Sequence, residues 1–302
     1  MTQQKRQKRQ ISGWIVLNKP YDMTSTQAVG KMKWLFSAKK AGHAGTLDPL
    51  ATGILPIALG EATKTVPHVQ DGVKVYEFDI KWGEATSTDD AEGEIVGTSD
   101  VRPTQDELEA VLPNFIGVIT QIPPAFSAIK INGERAYDLA RAGEKVDVPP
   151  REIEIDALEV TAHDKEKSSL RVTCQKGTYV RALARDIAEK LGTKGHVSRL
   201  HRAQVGLFTD DDAITIAELE ELELRDRDAQ LRPLNDALSS LDEVSLDDRQ
   251  AQLVRMGNPA LLIGRNAPIK LDVAYATHKG DVVAIGFVEK GQFKPSRVIV
   301  AS

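Results

Sequence analysis

The chain has 302 residues, of which 41% are hydrophobic and 27% charged, and a formal net charge of −5; this is enough for one large domain with an appendage, or for two domains. It contains no apolar run long enough to span a bilayer, no apolar stretch after the basic start MTQQKRQKRQ that would make a signal peptide, and one cysteine, Cys174. An intramolecular disulfide and a cysteine-rich zinc site are thereby excluded, and a cytoplasmic location is expected. The six histidines are scattered without metal-ligand spacing, and His196 and His201 sit among arginines, so no metal is expected.

Charge is unevenly spread. Residues 210–248 hold fourteen acidic side chains against three arginines, which leaves the remaining chain net basic. Lys5, Arg6, Lys8 and Arg9, then Lys31, Lys33, Lys39 and Lys40, then Lys194, Arg199 and Arg202 form basic clusters. Such clusters could track phosphates, but charge alone favours a solvated surface with a flexible basic tail over residues 1–10.

In chain order, GWIVLNKP (13–20) reads as a short buried strand entering a loop. TSTQAVGKMKWLF (24–36) reads as a helix capped by Thr24 or Ser25. KVYEFDIKWG (74–83) alternates, with Tyr76, Phe78, Ile80 and Trp82 on one face and Glu77, Asp79 and Lys81 on the other, which predicts a half-buried strand. GEATSTDDAEGE (83–94) reads as an acidic, turn-rich loop, and 104–112 as a helix. Residues 121–150, bounded by two proline pairs, read as an excursion from the main sheet. LRVTC (170–174) is a strand that turns at Lys176–Gly177 into a helix with Val180, Leu183, Ile187 and Leu191 on one face and Gly192 as its stop. The acidic segment reads as a helix and a linker. VVAIGFVEKGQFKPSRVIV reads as two strands turning at 289–292, so residues 240–302 form a small β-rich terminal domain after a larger domain at 11–239. The class is α/β, with a mixed sheet.

Between residues 41 and 64, AGHAGTLDPLATGILPIALGEATK places one carboxylate, Asp48, in a small, apolar, glycine-containing loop. Asp-Pro is a common turn initiator. Here, however, Pro49 keeps Asp48 out of the helical region, and Leu47, Leu50, Ile54 and Leu55 surround it. A lone acid presented rigidly from an apolar loop suits a nucleophile or a base better than it suits solubility.

GHAGTLDPLATG (42–53) resembles the signature of the TruB family of tRNA pseudouridine synthases. LNKP (17–20), ATK (62–64), Tyr76, IPPAFSAIKINGERAYDLAR (122–141), KGTYVR (176–181) and HVSRLHR (196–202) follow in that family's order, so the resemblance covers nearly all of residues 11–208. It implies a pseudouridine synthase fold, an inserted mobile element at 121–150 that closes on RNA through Lys130, Arg135, Arg141 and Lys145, and a PUA-like domain at 240–302 bearing Lys290, Lys294 and Arg297. The implied reaction converts uridine 55 in the T-loop of tRNA to pseudouridine, without cofactor or metal, by an enzyme expected to act as a monomer. Uracil is then both leaving group and returning nucleophile, which accounts for a single acid where a typical glycoside hydrolase uses two.

The resemblance assigns Asp48 as the catalytic aspartate. Tyr76 becomes the ring that stacks on the flipped uracil and takes part in proton transfer, and Arg181 the partner of Asp48. It makes Tyr179 and Leu200 pocket residues, and His43 the side chain that fills the space of the extruded base. Lys19 is a loop lysine, with phosphate contact and loop structure equally open. Arg181 falls in the first turn of its helix, where the dipole disfavours a cation; a carboxylate beside it offsets this and is itself kept ionised. Taken without the resemblance, Tyr76 and Leu200 read as core, and Arg181 equally as an exposed arginine or as one paired with a carboxylate. The alternative function is a tRNA-binding or tRNA-folding chaperone without chemistry. A hydrolytic glycosidase is disfavoured by the single acid.

Overall fold

The computed structural model describes residues 7–127, 129–131, 133–137 and 146–300. Lys5, Arg6, Arg141 and Lys145, invoked above, lie outside them. The strands in chain order are β1 (Gly13–Lys19), β2 (Ala41–His43), β3 (Ala51–Leu59), β4 (Lys74–Trp82), β5 (Glu84–Thr86), β6 (Ile95–Thr98), β7 (Gly117–Gln121), β8 (Lys130–Ile131), β9 (Glu134–Arg135), β10 (Arg151–His163), β11 (Lys167–Cys174), β12 (Gly195–Val205), β13 (Phe208–Thr209), β14 (Asp242–Ser245), β15 (Ala260–Leu261), β16 (Lys270–His278), β17 (Asp281–Glu289) and β18 (Gln292–Val298).

Nine strands form the main sheet in the order β1-β3-β12-β4-β11-β10-β7, with β2 added to β3 and β13 to β12. Its pairings are antiparallel except β3 with β12, where Leu200 lies opposite Ala51 and Arg202 opposite Gly53. The run GWIVLNK is apolar without alternation because both faces of β1 are covered. Ile15 and Leu17 join the large core, while Trp14 and Val16 join a second cluster with Ile54, Ala58 and Phe208.

Helix α1 (Ser25–Leu35) begins with a capping box, in which the Thr24 hydroxyl accepts from Gln27 N and the Gln27 side chain accepts from Thr24 N. A short helix α2 (Val66–Gln70) follows β3, and α3 (Gln105–Val111) starts on a second box built by Thr104 and Glu107. Helix α4 (Val180–Lys190) buries Val180, Leu183, Ala184 and Ile187 against the large core and ends at Gly192, whose φ of 71° suits glycine.

The acidic segment departs from the helix-and-linker expectation. It forms two short helices, Ile216–Glu221 and Leu224–Asp228, and straps the outer edge of β1. Ile214 N donates to Val16 O, Asn18 N to Ile214 O, and Trp14 and Arg232 exchange both backbone bonds. The edge strand is thus covered rather than left open. The strap also takes up cations: Arg9 pairs with Asp228, Lys31 with Glu220, and Arg232 with Asp212 and Asp236. Arg9, expected in a flexible tail, is held as well through Arg9 N to Ser37 O.

The C-terminal residues form a five-stranded sheet, β14-β16-β17-β18-β15, with its own core around Val254, Val283, Val288 and Phe293. It meets the first sheet where Leu238 packs on Tyr275 and Ile285, and where Val300 N and Val298 O bind Glu61 and Lys64.

Candidate active site

The loop carrying Asp48 emerges where the sheet is interrupted. Along one edge β3 pairs with β1 throughout. Along the other, β12 covers residues 51–53 and β2 covers 57–59, so residues 54–56 have no strand beside them. Pro56 has no N–H to satisfy there, and its carbonyl accepts from Ala44 N. The carbonyl of Ile54 accepts from Nε of Arg202 at 2.8 Å, and the same guanidinium reaches Gly45 O and Thr46 O at 3.1 and 3.3 Å. A fully buried arginine therefore completes the sheet in place of a strand and holds the start of the loop. Arg202 was counted in a basic cluster suited to a solvated surface or to phosphates; it faces inward, where it serves three backbone carbonyls. Arg199, in the same expected cluster, pairs with Asp79 at 3.2 Å.

The rest of the loop is clamped from α1 and β1. The Ser25 hydroxyl donates to Leu47 O at 3.0 Å and accepts from Leu47 N at 2.9 Å. Lys19 is fully buried, and its Nζ donates to Pro20 O, Met23 O and Pro49 O at 2.8, 2.7 and 3.2 Å. Of the two roles left open for Lys19, loop structure is the one its geometry supports, since all three ammonium protons are used. Burial pulls its pKa down to about 8 against the nearby charge of Asp48. Replacing Lys19 by Met takes the donor from three carbonyls whose bonds to it are partly buried, so a stability loss of about 2 kcal/mol is expected. Thermal melting checks this; an unchanged midpoint would show that the carbonyls find other donors.

Asp48 meets Arg181, with Nε 2.9 Å from Oδ2, although the Nε–H is not aimed along the contact. The Arg181 side chain is 5% exposed and that of Asp48 34%, so the carboxylate is held and still reachable. Arg181 is not the exposed arginine of a polar helix face. Its Nη1 lies 3.3 Å from Oδ2 of Asp90 and donates to Thr88 O at 3.1 Å, and its Nη2 donates to Phe126 O at 3.0 Å. One helical turn on, Arg185 binds Asp89 at 2.9 Å and Ile122 O at 2.8 Å. Two carboxylates around Arg181 offset the unfavourable position of a cation at the start of α4.

Asp89 and Asp90 belong to the segment expected to be an acidic, turn-rich loop. Within it Asp90 is 1% exposed, and its Oδ1 accepts from Glu92 N and the Thr88 hydroxyl. The available signal was two arginines, 181 and 185, one turn apart on a largely buried helix; they require counter-charges from elsewhere in the chain. The expected effect of Arg181 on Asp48 is outweighed. Burial pushes the Asp48 carboxyl above its ordinary range, Arg181 and Lys19 pull it back, and Asp90 adds to the rise.

Tyr76, on β4, lies opposite Arg202 on one side and Val172 on the other, half-buried against the large core. Burial raises its pKa, so the phenol keeps its proton near neutral pH. Leu200, opposite Phe78 and Ala51, is part of that core and 5% exposed. Tyr179 caps α4; Gln121 brackets its backbone, accepting from Tyr179 N at 2.9 Å and donating to Tyr179 O at 3.1 Å. His43 ends β2, with Nδ1 buried and lacking a partner among the described residues; burial first and Arg202 second lower its pKa, which keeps it neutral. Asp48 and Arg181 are thus in contact, and the charge of Asp48 is felt at Tyr76. Lys19, Leu200 and Tyr179 support the surroundings, and His43 stands on the strand leading into the loop. Among the described residues, no group of acids, histidines or cysteines could hold a metal ion.

The mixed sheet, with Arg181 set between Asp48 and Asp90, has the fold of the pseudouridine synthases. Among solved structures, an archaeal box H/ACA sRNP Nop10–Cbf5 complex matches over 95% of this chain and 86% of its own, with a TM-score of 0.72 and 23% identity. A Cbf5–Nop10–Gar1 complex matches over 96% and 84%, with a TM-score of 0.71 and 26% identity. Residues 33–180 match the family described as TruB family pseudouridylate synthase, N-terminal domain, and residues 181–244 match the tRNA pseudouridylate synthase B C-terminal domain. The tRNA pseudouridine synthase B of Brucella ovis is 54% identical over 98% of each chain, and that of Mesorhizobium japonicum 51% identical over 97% of this chain and 98% of its own. The chain belongs to the TruB family of pseudouridylate synthases. The two matched segments meet between residues 180 and 181, so Asp48 and Arg181 come from different segments and close one site.

Proposed function

We propose that this chain is the cytoplasmic enzyme that converts uridine 55 in the T-loop of tRNA to pseudouridine, acting as a monomer and without a cofactor. The observation that carries the reading is the ion pair between Asp48 and Arg181, 2.9 Å apart, with Asp48 still one-third exposed above apolar neighbours. The family and the tRNA enzymes of the Brucella and Mesorhizobium relatives supply the substrate class.

The reaction is an isomerisation. The bond from C1′ to N1 breaks, the uracil turns, a bond from C1′ to C5 forms, and the hydrogen leaves C5 as N1 gains one. No oxidant or co-reactant is consumed. The base must leave the T-loop stack, at a cost of a few kcal/mol, and the pocket returns that energy. Tyr76 provides a ring for the flipped base and a phenol that stays protonated. Leu200 and Tyr179 line the pocket, and neutral His43 fills the stack that the base has left. Asp48 supplies the reacting carboxylate, Arg181 fixes its position, and Lys19 holds the loop that bears it.

Incubation with an unmodified tRNA transcript, followed by nucleotide-resolution mapping, is expected to show pseudouridine at position 55 alone. Modification at another uridine would overturn the position. No modification by folded protein that still binds tRNA would leave the chaperone reading in its place.

A further inference from the structure

Arg151 is half-buried and differs from the buried arginines among the described residues. Arg181, Arg202 and Arg227 each place their guanidinium against carboxylates or backbone carbonyls. For Arg151, Nε and Nη2 are both buried without an acceptor, and among the described residues no carboxylate pairs with it. These two nitrogens form the side-on fork of the guanidinium, the pair of parallel N–H groups that fits two oxygens of one anion.

Its place in the fold is defined. Arg151 opens β10 opposite Gln121, and its guanidinium carbon lies 4.9 Å from the centre of the Tyr179 ring. Gln121 grips the Tyr179 backbone from the other side, and Tyr179 caps the helix that carries Arg181. Nη1 faces Gly177, where a Cβ would stand 3.7 Å away. The ring contact holds the cation beside Tyr179 and leaves its fork unpaired. An unpaired interior fork is unfavourable unless something supplies the oxygens.

We propose that Arg151 binds a phosphodiester of the RNA strand that passes Tyr179 on its way into the pocket, with the fork receiving two non-bridging oxygens of one phosphate. This rests on the reading of the chain as an enzyme acting on RNA. A phosphate suits the fork because it is anionic, bidentate and carried by that substrate at every nucleotide. The fork is covered in this structure, so the arriving phosphate displaces what lies over it.

The test compares wild type with Arg151→Gln and Arg151→Lys, measuring tRNA affinity from 50 to 300 mM salt together with single-turnover pseudouridine formation. Arg151→Gln is expected to bind roughly tenfold more weakly at low salt, with a salt slope shallower by about 0.7 to 0.9, the contribution of one phosphate contact. Arg151→Lys is expected to keep the slope and lose part of the affinity, because the charge remains and the fork does not. Arg151→Gln gives up the Tyr179 ring contact and should melt slightly below wild type, and Arg151→Lys less so; no larger loss is expected, since the fork had no protein acceptor. T-arm RNAs carrying one neutral methylphosphonate at successive positions provide an independent readout. At one position the substitution should weaken wild type and leave Arg151→Gln unaffected. If wild type modifies tRNA while Arg151→Gln keeps its affinity and slope, or if no methylphosphonate position is coupled to Arg151, the proposal is wrong. If wild type modifies no tRNA, the enzymatic reading fails, and the methylphosphonate scan on RNA binding still decides the role of Arg151. Loss of activity with an unchanged salt slope would make Arg151 a support for Tyr179 and overturn phosphate binding.

Discussion

Asp48→Asn is expected to abolish pseudouridine formation while changing tRNA affinity by less than about tenfold, roughly 1.4 kcal/mol. Asparagine keeps the shape of the loop residue and loses the charge that Arg181 holds. Stability should not fall. The fold raises the Asp48 pKa, mainly through burial, so it favours the protonated form. The stabilisation this brings is complete below the unfolded value near 3.8 and is gone once the pH rises through the higher folded value. At neutral pH the ionised group is therefore a cost, and asparagine removes it, so the variant should melt at or above the wild-type temperature. The same sign governs activity: wild-type turnover should decline on acidification at a pH above the ordinary aspartate range. Measurable multiple turnover by Asp48→Asn in a preparation free of wild type would end the assignment. A variant that lost both activity and several degrees of stability would point to a structural aspartate.

The second large effect is expected at Arg181. Arg181→Met leaves Asp48 and Asp90 facing one pocket with no cation between them, and removes the donors to Thr88 O and Phe126 O. Breaking a buried ion pair from one side costs about 3–5 kcal/mol, because the remaining charge is left unpaired. Turnover should fall by at least about 100-fold, the scale for losing one preorganised charged donor at a reacting group. Arg181→Lys keeps the charge but cannot reach four acceptors, so it should recover part of the stability and little of the activity. Differential scanning calorimetry alongside single-turnover assays separates the two effects. An Arg181→Met protein melting within a degree of wild type would show that Asp90 and Asp48 do not depend on this cation.

Much of this architecture is readable locally. Thr24 and Gln27 announce the start of α1, the alternation from Tyr76 to Trp82 gives β4, and Val180, Leu183 and Ile187 give α4 its buried face. Asp48 stands out because charge is rare in such a loop. The misses share a cause: the charged residue's partner is distant in sequence. Asp89 and Asp90 look solvated until the arginines of α4 are placed beside them, and Arg202 looks superficial until the break beside β3 needs a donor. Residues 210–240 look like a linker because their backbone pairing is with β1, at the far end of the chain. Strand β16 gave little signal because its centre is built from small residues, Ala274 and Ala276, which pack well and alternate weakly.

The arginine that stands in for a missing strand also bears on when the protein can first work. Arg202 and Ile54 are 148 positions apart. Synthesis at about 5–20 residues per second means the loop is complete many seconds before its support exists. Through that interval Arg202 is not yet present to bind the carbonyls at 45, 46 and 54 in the segment that bears Asp48. The ion pair with Arg181 closes a loop almost as long, and the entropy of such closures is repaid only when β12 docks between β3 and β4. The support of this loop is thus complete only late in synthesis, so an unfinished copy stalled before residue 181 would have the loop at 42–53 without either arginine that holds it.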